Sequence, residues 1–131
     1  SENLEVKNKV IFTGNVPEDM LKSAIYSSDV VVIPSFYEPF GIVALEAMAY
    51  GKPIVASKVG GLKEFLTNNK TCLFFIPKDS ESLARCIIKV LSNKSLSQKL
   101  GKNARDVVKN FDWNKIINKV IKIYREIYEK K

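Results

Sequence analysis

The chain has 131 residues, 46% hydrophobic and 27% charged, which is matter for one packed core and too apolar for a disordered chain. No apolar run reaches the ~18 residues of a membrane span, and Ser1, Glu2 and Asn3 supply neither the basic region nor the apolar stretch of a secretory leader. The net charge is +7, there is no histidine, and the two cysteines, Cys72 and Cys86, form no C-x-x-C pair, so the ligands of a zinc site are missing and free thiols in a reducing cytosol are expected rather than a disulfide.

Four short apolar runs read as strands: residues 10–12, 30–33, 54–56 and 73–76. The run Val30-Val31-Val32-Ile33 does not alternate with polar residues, which suits a strand buried on both faces of a parallel sheet. Helical patterns lie between the runs. The first spans residues 17–28 and opens with Pro17, Glu18 and Asp19, because proline lacks only an amide that would be orphaned there and acids complement the helix dipole. The second spans 42–50 and stops at Gly51 and Pro53. A short turn covers 62–66, after Gly60 and Gly61.

The last third reads as three helices. The spacing predicts one over 80–93, with Leu83, Ile87 and Leu91 on one side. A second spans 95–110 and begins with the capping-box pattern Ser95-x-x-Gln98. A third starts at Trp113 behind the cap Asp112, with a stripe through Ile116, Val120, Tyr124 and Ile127. This last helix is expected to pack on the core; its interleaved Lys115, Lys119, Lys122 and Arg125 make a membrane-surface helix the alternative. The other lysines are spread along the chain as on a solvated surface, and no nucleic-acid motif accompanies them. Strands alternating with helices imply a single α/β unit with a mostly parallel sheet, without repeat or linker.

Ligands of such sheets bind beyond the carboxyl ends of the strands. Two loops stand out there. One is Pro34-Ser35-Phe36-Tyr37-Glu38-Pro39-Phe40-Gly41, which enters the helix containing Glu46. The other is Ser57-Lys58-Val59-Gly60-Gly61. Gly41 admits close backbone approach, and the amides of Phe40, Gly41 and Ile42 fall at a helix N-terminus, where unpaired N–H groups and the dipole attract a diphosphate or a sugar hydroxyl. Glu38 just outside the helix and Glu46 about a turn inside it are expected to point into one crevice. A carboxylate accepts two hydrogen bonds from a vicinal diol, so the acids suit a ribose or a hexose.

The joint order from Pro34 to Gly61 resembles the signature of the family 4 glycosyltransferases, retaining enzymes of the GT-B type that pair two glutamates eight residues apart, here Glu38 and Glu46. Pro34, Ser35, Pro39, Phe40, Gly41, Leu45, Ala47, Met48, Ala49, Gly51, Pro53, Ser57, Gly60 and Gly61 match as well. Val10-Ile11-Phe12-Thr13-Gly14 and Phe111-Asp112-Trp113 extend the likeness over most of the chain. The resemblance implies a Rossmann-like parallel sheet flanked by helices, the C-terminal half of a GT-B enzyme, with residues 1–131 forming part of a nucleotide-sugar-binding domain. It implies that Glu38 is the catalytic-site acid, contacting the transferred sugar and helping to hold the donor. With it, Phe40, Gly41 and Ile42 bind the sugar and diphosphate. Glu46 holds the ribose, and Asn15, Val16 and Val43 lie near the nucleotide.

The same resemblance implies a hexosyltransferase that uses a UDP- or GDP-hexose without a metal or other cofactor. It would act in polysaccharide or glycoconjugate synthesis in the cytoplasm, with peripheral membrane contact and no nucleic-acid partner. The acceptor, a glycan or a lipid, would be held by an N-terminal domain that the chain lacks. The family's donor domain also has an earlier strand, helix and strand carrying an Arg and a Lys for the diphosphate. Without them, residues 10–12 are expected to lack their usual sheet neighbours, and the fragment alone is expected to be inactive. Cys72 departs from the family's usual glycine, which alters a local turn. A non-catalytic nucleotide-sugar-binding module is the rival reading.

Overall fold

A computed structural model describes residues 6–129. Three parallel strands, β1 (Val31–Ile33), β2 (Ile54–Ser57) and β3 (Leu73–Phe75), lie in the order β1-β2-β3. Val31 faces Ile54 and Ile33 faces Ala56, while Val55 faces Leu73 and Ser57 faces Phe75. The central strand is buried along its whole length, as its unbroken apolar run requires.

The period of two along the strands divides the core into two clusters. Ile33, Ile54, Ala56 and Cys72 face one side of the sheet, where helices α1 (Glu18–Ser27), α2 (Ile42–Ala49) and α3 (Leu62–Phe65) contribute Ile25, Ala44, Ala47, Met48, Leu62 and Phe65. Val55, Leu73 and Phe75 face the other side, where α4 (Ser80–Ser92) packs through Leu83, Cys86, Ile87 and Val90. Helix α5 (Lys94–Val108) spans both clusters, giving Leu96 and Leu100 to the second and Ala104 and Val107 to the first. The architecture is the expected Rossmann-like α/β arrangement, with strands and helices alternating.

The predicted elements are recovered within a residue or two, with three differences. Residues 10–12 form no strand, and Ile11 and Phe12 are 86% and 84% exposed. A strand is completed by its hydrogen-bonded neighbour, and β1, whose only partner among the described residues is β2, does not take up this segment.

The second difference is the start of α5. Asn93, not Ser95, caps it, accepting from the Leu96 amide at 2.9 Å. Asparagine caps as well as serine does. The earlier start lets α5 follow α4 through the single residue Asn93 and brings Leu96 and Leu100 onto the sheet.

The third difference is α6 (Trp113–Tyr128). Asp112 caps it as expected, accepting from Asn114 at 2.9 Å, but none of its residues is buried, so it does not pack on the core. Its contacts are with the preceding turn Lys109–Phe111, where Phe111 meets Phe65 edge-on with ring centroids 5.5 Å apart. That aromatic pair ties the turn before α6 to the core. The helix beyond it presents Trp113, Tyr124 and Ile127 to solvent. Among the described residues no helix is long and apolar enough to cross a membrane.

Candidate donor site

The site begins where β1 ends. Residues 34–41 leave the sheet without regular structure and turn into α2 through Gly41, whose φ of 92° lies in the left-handed region that side chains avoid. Gly41 is buried, and a Cβ there would stand 2.5 Å from Leu62 Cδ2. The left-handed backbone and the packing of the Leu62 side chain both favour glycine here, whatever else the position does.

Helix α2 receives no side-chain cap, and its first hydrogen bonds run from Ala44 and Leu45 to Gly41 O at 3.0 and 3.3 Å. Among the described residues the amides of Gly41, Ile42 and Val43 have no hydrogen-bond partner. Their unsatisfied N–H groups and the dipole form a positive helix end. Ile42 and Val43 are exposed, and Phe40 is anchored by its ring, whose centroid lies 6.2 Å from that of Phe65.

The buried face of α2 is Ala44, Ala47 and Met48. At helical spacing, Ile42, Val43 and Glu46 therefore share the outer face, with Glu46 roughly 6 Å further along the axis than Ile42. Glu46 is half-buried beside α1. The Lys22 ammonium, held charged chiefly by its hydrogen bond and ion pair with Glu18, also feels Glu46. Asn15 and Val16 lie in the segment leading into α1, Asn15 exposed and Val16 half-buried, and neither bonds to Glu38 or α2.

Glu38 is held at two places. The Ser35 hydroxyl donates to its carboxylate at 3.3 Å, and the Gly61 amide donates to its main-chain carbonyl at 2.9 Å. The second loop lies directly on the first. A Cβ at Gly60 would run into the Glu38 carbonyl oxygen, and one at Gly61 into that of Pro39. The Gly60-Gly61 pair is thus a clasp on the loop that bears Glu38.

Two features had no role in the sequence reading. Ser57, 1% exposed, points its hydroxyl at the carbonyls of Ser35 (2.5 Å) and Ile33 (3.3 Å). Its signal is a polar residue closing an apolar strand. Beside it, a hollow of about 200 Å³ opens between Pro34, Phe36, Phe75, Pro77 and Leu83 at the carboxyl end of the sheet. Lys78, with φ of 67°, reaches over the Phe36 ring at 5.9 Å on the rim of that hollow. Nothing in the residue pattern foretells that contact.

Residues 1–107 match the family described as Glycosyl transferases group 1. An uncharacterized glycosyltransferase of Methanocaldococcus jannaschii is 44% identical over 93% of the chain, which covers 32% of that protein. A glycogen synthase of Mycobacterium tuberculosis is 36% identical over 86% of the chain and is covered over 28% of its own length. Among solved structures, a sucrose-phosphate synthase from Thermosynechococcus elongatus superposes over 99% of the chain and 33% of its own, with TM-score 0.89 and 35% identity. Anabaena HepE in complex with UDP-glucose superposes over 98% of the chain and 34% of its own, with TM-score 0.80 and 29% identity. The chain thus spans about a third of the length of these relatives. With the family match over most of its residues and the GT-B sheet and helices reproduced, the chain belongs to the group 1 glycosyl transferases.

Proposed function

We propose that this chain is the donor-binding part of a retaining glycosyltransferase that moves a hexosyl group from a nucleotide-sugar to a glycan, lipid or other acceptor. The observation that carries the reading is the uncapped N-terminus of α2, with free amides at Gly41 to Val43, Glu38 before it and Glu46 on its outer face. The amides suit the diphosphate and a sugar hydroxyl, as anions and acceptors gather at helix N-termini. Glu46, with Val43 and the segment Asn15-Val16, reads the ribose and base. Glu38 reads hydroxyls of the transferred sugar. Its part in the reaction is to hold the anomeric carbon in line and to balance positive charge there as the diphosphate leaves. Phe40 and Ile42 line the sugar side. HepE, solved with UDP-glucose, supports this choice of donor.

No metal is assigned a role. The acceptor would be held by sequence beyond the third of the relatives' length represented in this chain, in the cytoplasm and at a membrane face where the acceptor is a lipid. One observation favours a non-catalytic binding module for these residues taken alone. The whole stretch from Asp29 to Gly51 contains no Lys or Arg, so at the start of α2 itself a diphosphate is offered amides and the dipole but no cation.

The test is a titration of UDP- and GDP-sugars against wild type, Glu46→Ala and Glu38→Gln. Hydrogen bonds to a charged group contribute about 1.5–3 kcal/mol, so Glu46→Ala weakens binding roughly ten- to hundredfold. Binding of no nucleotide-sugar, or indifference to Glu46→Ala, refutes the donor site.

A further inference from the structure

The loop that carries Glu38 has no secondary structure, yet a carboxylate that selects among hydroxyls must be fixed to a fraction of an ångström. Its main chain is clasped by Gly60 and Gly61, but that clasp does not set the direction of the side chain. The direction comes from Ser35, whose hydroxyl donates to the Glu38 carboxylate at 3.3 Å. Ser35 is itself held from below. The Ser57 hydroxyl has one proton and two carbonyl acceptors in reach, and the contact to Ser35 O, at 2.5 Å, is the shorter one. Ser57 is 1% exposed, so water does not compete for that proton. From this continuous chain of contacts, β2 to Ser35 to Glu38, we infer that Ser57 and Ser35 are positioning residues that aim Glu38 at the donor sugar.

The inference rests on the donor reading of Glu38 given above and adds what fixes its aim. It separates two parts of the donor. Glu38 faces the sugar and Glu46 faces the ribose, so loosening Glu38 weakens recognition of the sugar while leaving that of the nucleoside diphosphate intact. A hydroxyl that merely supported the fold would weaken both.

The experiment titrates the chain by NMR with UDP-glucose and GDP-mannose, and with UDP and GDP alone, and follows thermal melting alongside. For whichever sugar nucleotide wild type binds more tightly, Ser57→Ala and Ser35→Ala each weaken binding about five- to tenfold, the size of one lost hydrogen bond. Both leave the bare nucleotide within about twofold, and Ser35→Thr, which keeps the hydroxyl, restores the sugar preference. The positioning role is overturned if Glu38→Gln abolishes the sugar preference while both serine variants bind like wild type. It is equally overturned if the serine variants lose bare nucleotide and sugar nucleotide in proportion. Indifference of sugar binding to Glu38→Gln is a different failure: the donor reading of Glu38 is then wrong, and the role of the serines falls with it. Should Ser57→Ala lose its melting transition, the half-buried Ser35 pair decides the matter by the same criteria.

Discussion

Replacing Gly61 by alanine sets two effects of known size against each other. The backbone of Gly61, with φ of −62° and ψ of −20°, is one that alanine adopts freely. Loss of unfolded-state entropy alone would therefore stabilise the variant by about 0.4–1 kcal/mol. Against that, the new Cβ would press on the carbonyl oxygen of Pro39 and lie 2.9 Å from its carbonyl carbon and 3.0 Å from the Phe40 Cα. All of these are main-chain atoms and do not swing aside as a side chain does. The loop must lift, breaking the 2.9 Å bond from the Gly61 amide to Glu38 O, at about 1 kcal/mol. Overpacking adds about 1–3 kcal/mol. The balance is a net loss of about 1–3 kcal/mol, a fall in melting temperature of roughly 4 °C for each kcal/mol at this size. Because the displaced residues are Glu38 and its neighbours, sugar-nucleotide binding falls as well. Urea denaturation and donor titration of Gly61→Ala measure both. A variant as stable as wild type or more so, with unchanged donor affinity, would show that the clasp is not in the folded protein.

Three further outcomes follow from the geometry. Asn93→Ala removes the cap of α5 and costs about 1 kcal/mol in urea denaturation, whereas Ser95→Ala stays within about 0.5 kcal/mol; the reverse order would return the cap to Ser95. Burial, with a smaller push from Cys86, raises the Cys72 thiol from its ordinary 9.0 to about 12. The folded state thus keeps a proton that the unfolded chain loses. Its contribution to stability is full below pH 9 and fades as pH rises toward 12, and urea midpoints between pH 8 and 11 fall less steeply in Cys72→Ala. Ending the chain after Asp112 removes α6, none of whose residues is buried, so unfolding free energy changes by no more than about 0.5 kcal/mol while solubility at high concentration improves.

The core of the sheet was legible because its residues carry the signal themselves. Unbroken apolar runs at 30–33, 54–56 and 73–76 leave no face for water, and each became a parallel strand. The run at 10–12 has the same composition and became none, since composition cannot supply the neighbour that accepts its hydrogen bonds. The stripe of α6 is as regular as that of any packed helix, yet periodicity names only the face to be covered and not what covers it. At the site, Glu38, Gly41 and Glu46 stand out through the joint order of residues around a helix start, and the fold sets them before, at and along α2. Ser57 was not given a role, because a lone serine at a strand end says nothing until the fold sets Ser35 O beside it. The purpose of Gly60 and Gly61 was hidden for a similar reason. They matter through atoms they lack, against a loop more than twenty positions earlier in the chain.

Among the described residues, every hydrogen bond in the chain of contacts that holds Glu38 closes between Ile33 and Gly61. Loops of that length cost little more to close than short ones, and all the partners lie within one strand-helix-strand unit and the turn after it. The hydrogen bonds that fix Glu38 are thus completed by β1, α2, β2 and Gly61, and none of them comes from α4, α5 or α6. On the donor reading proposed above, such a unit keeps one donor geometry while the polypeptide around it changes to suit different acceptors.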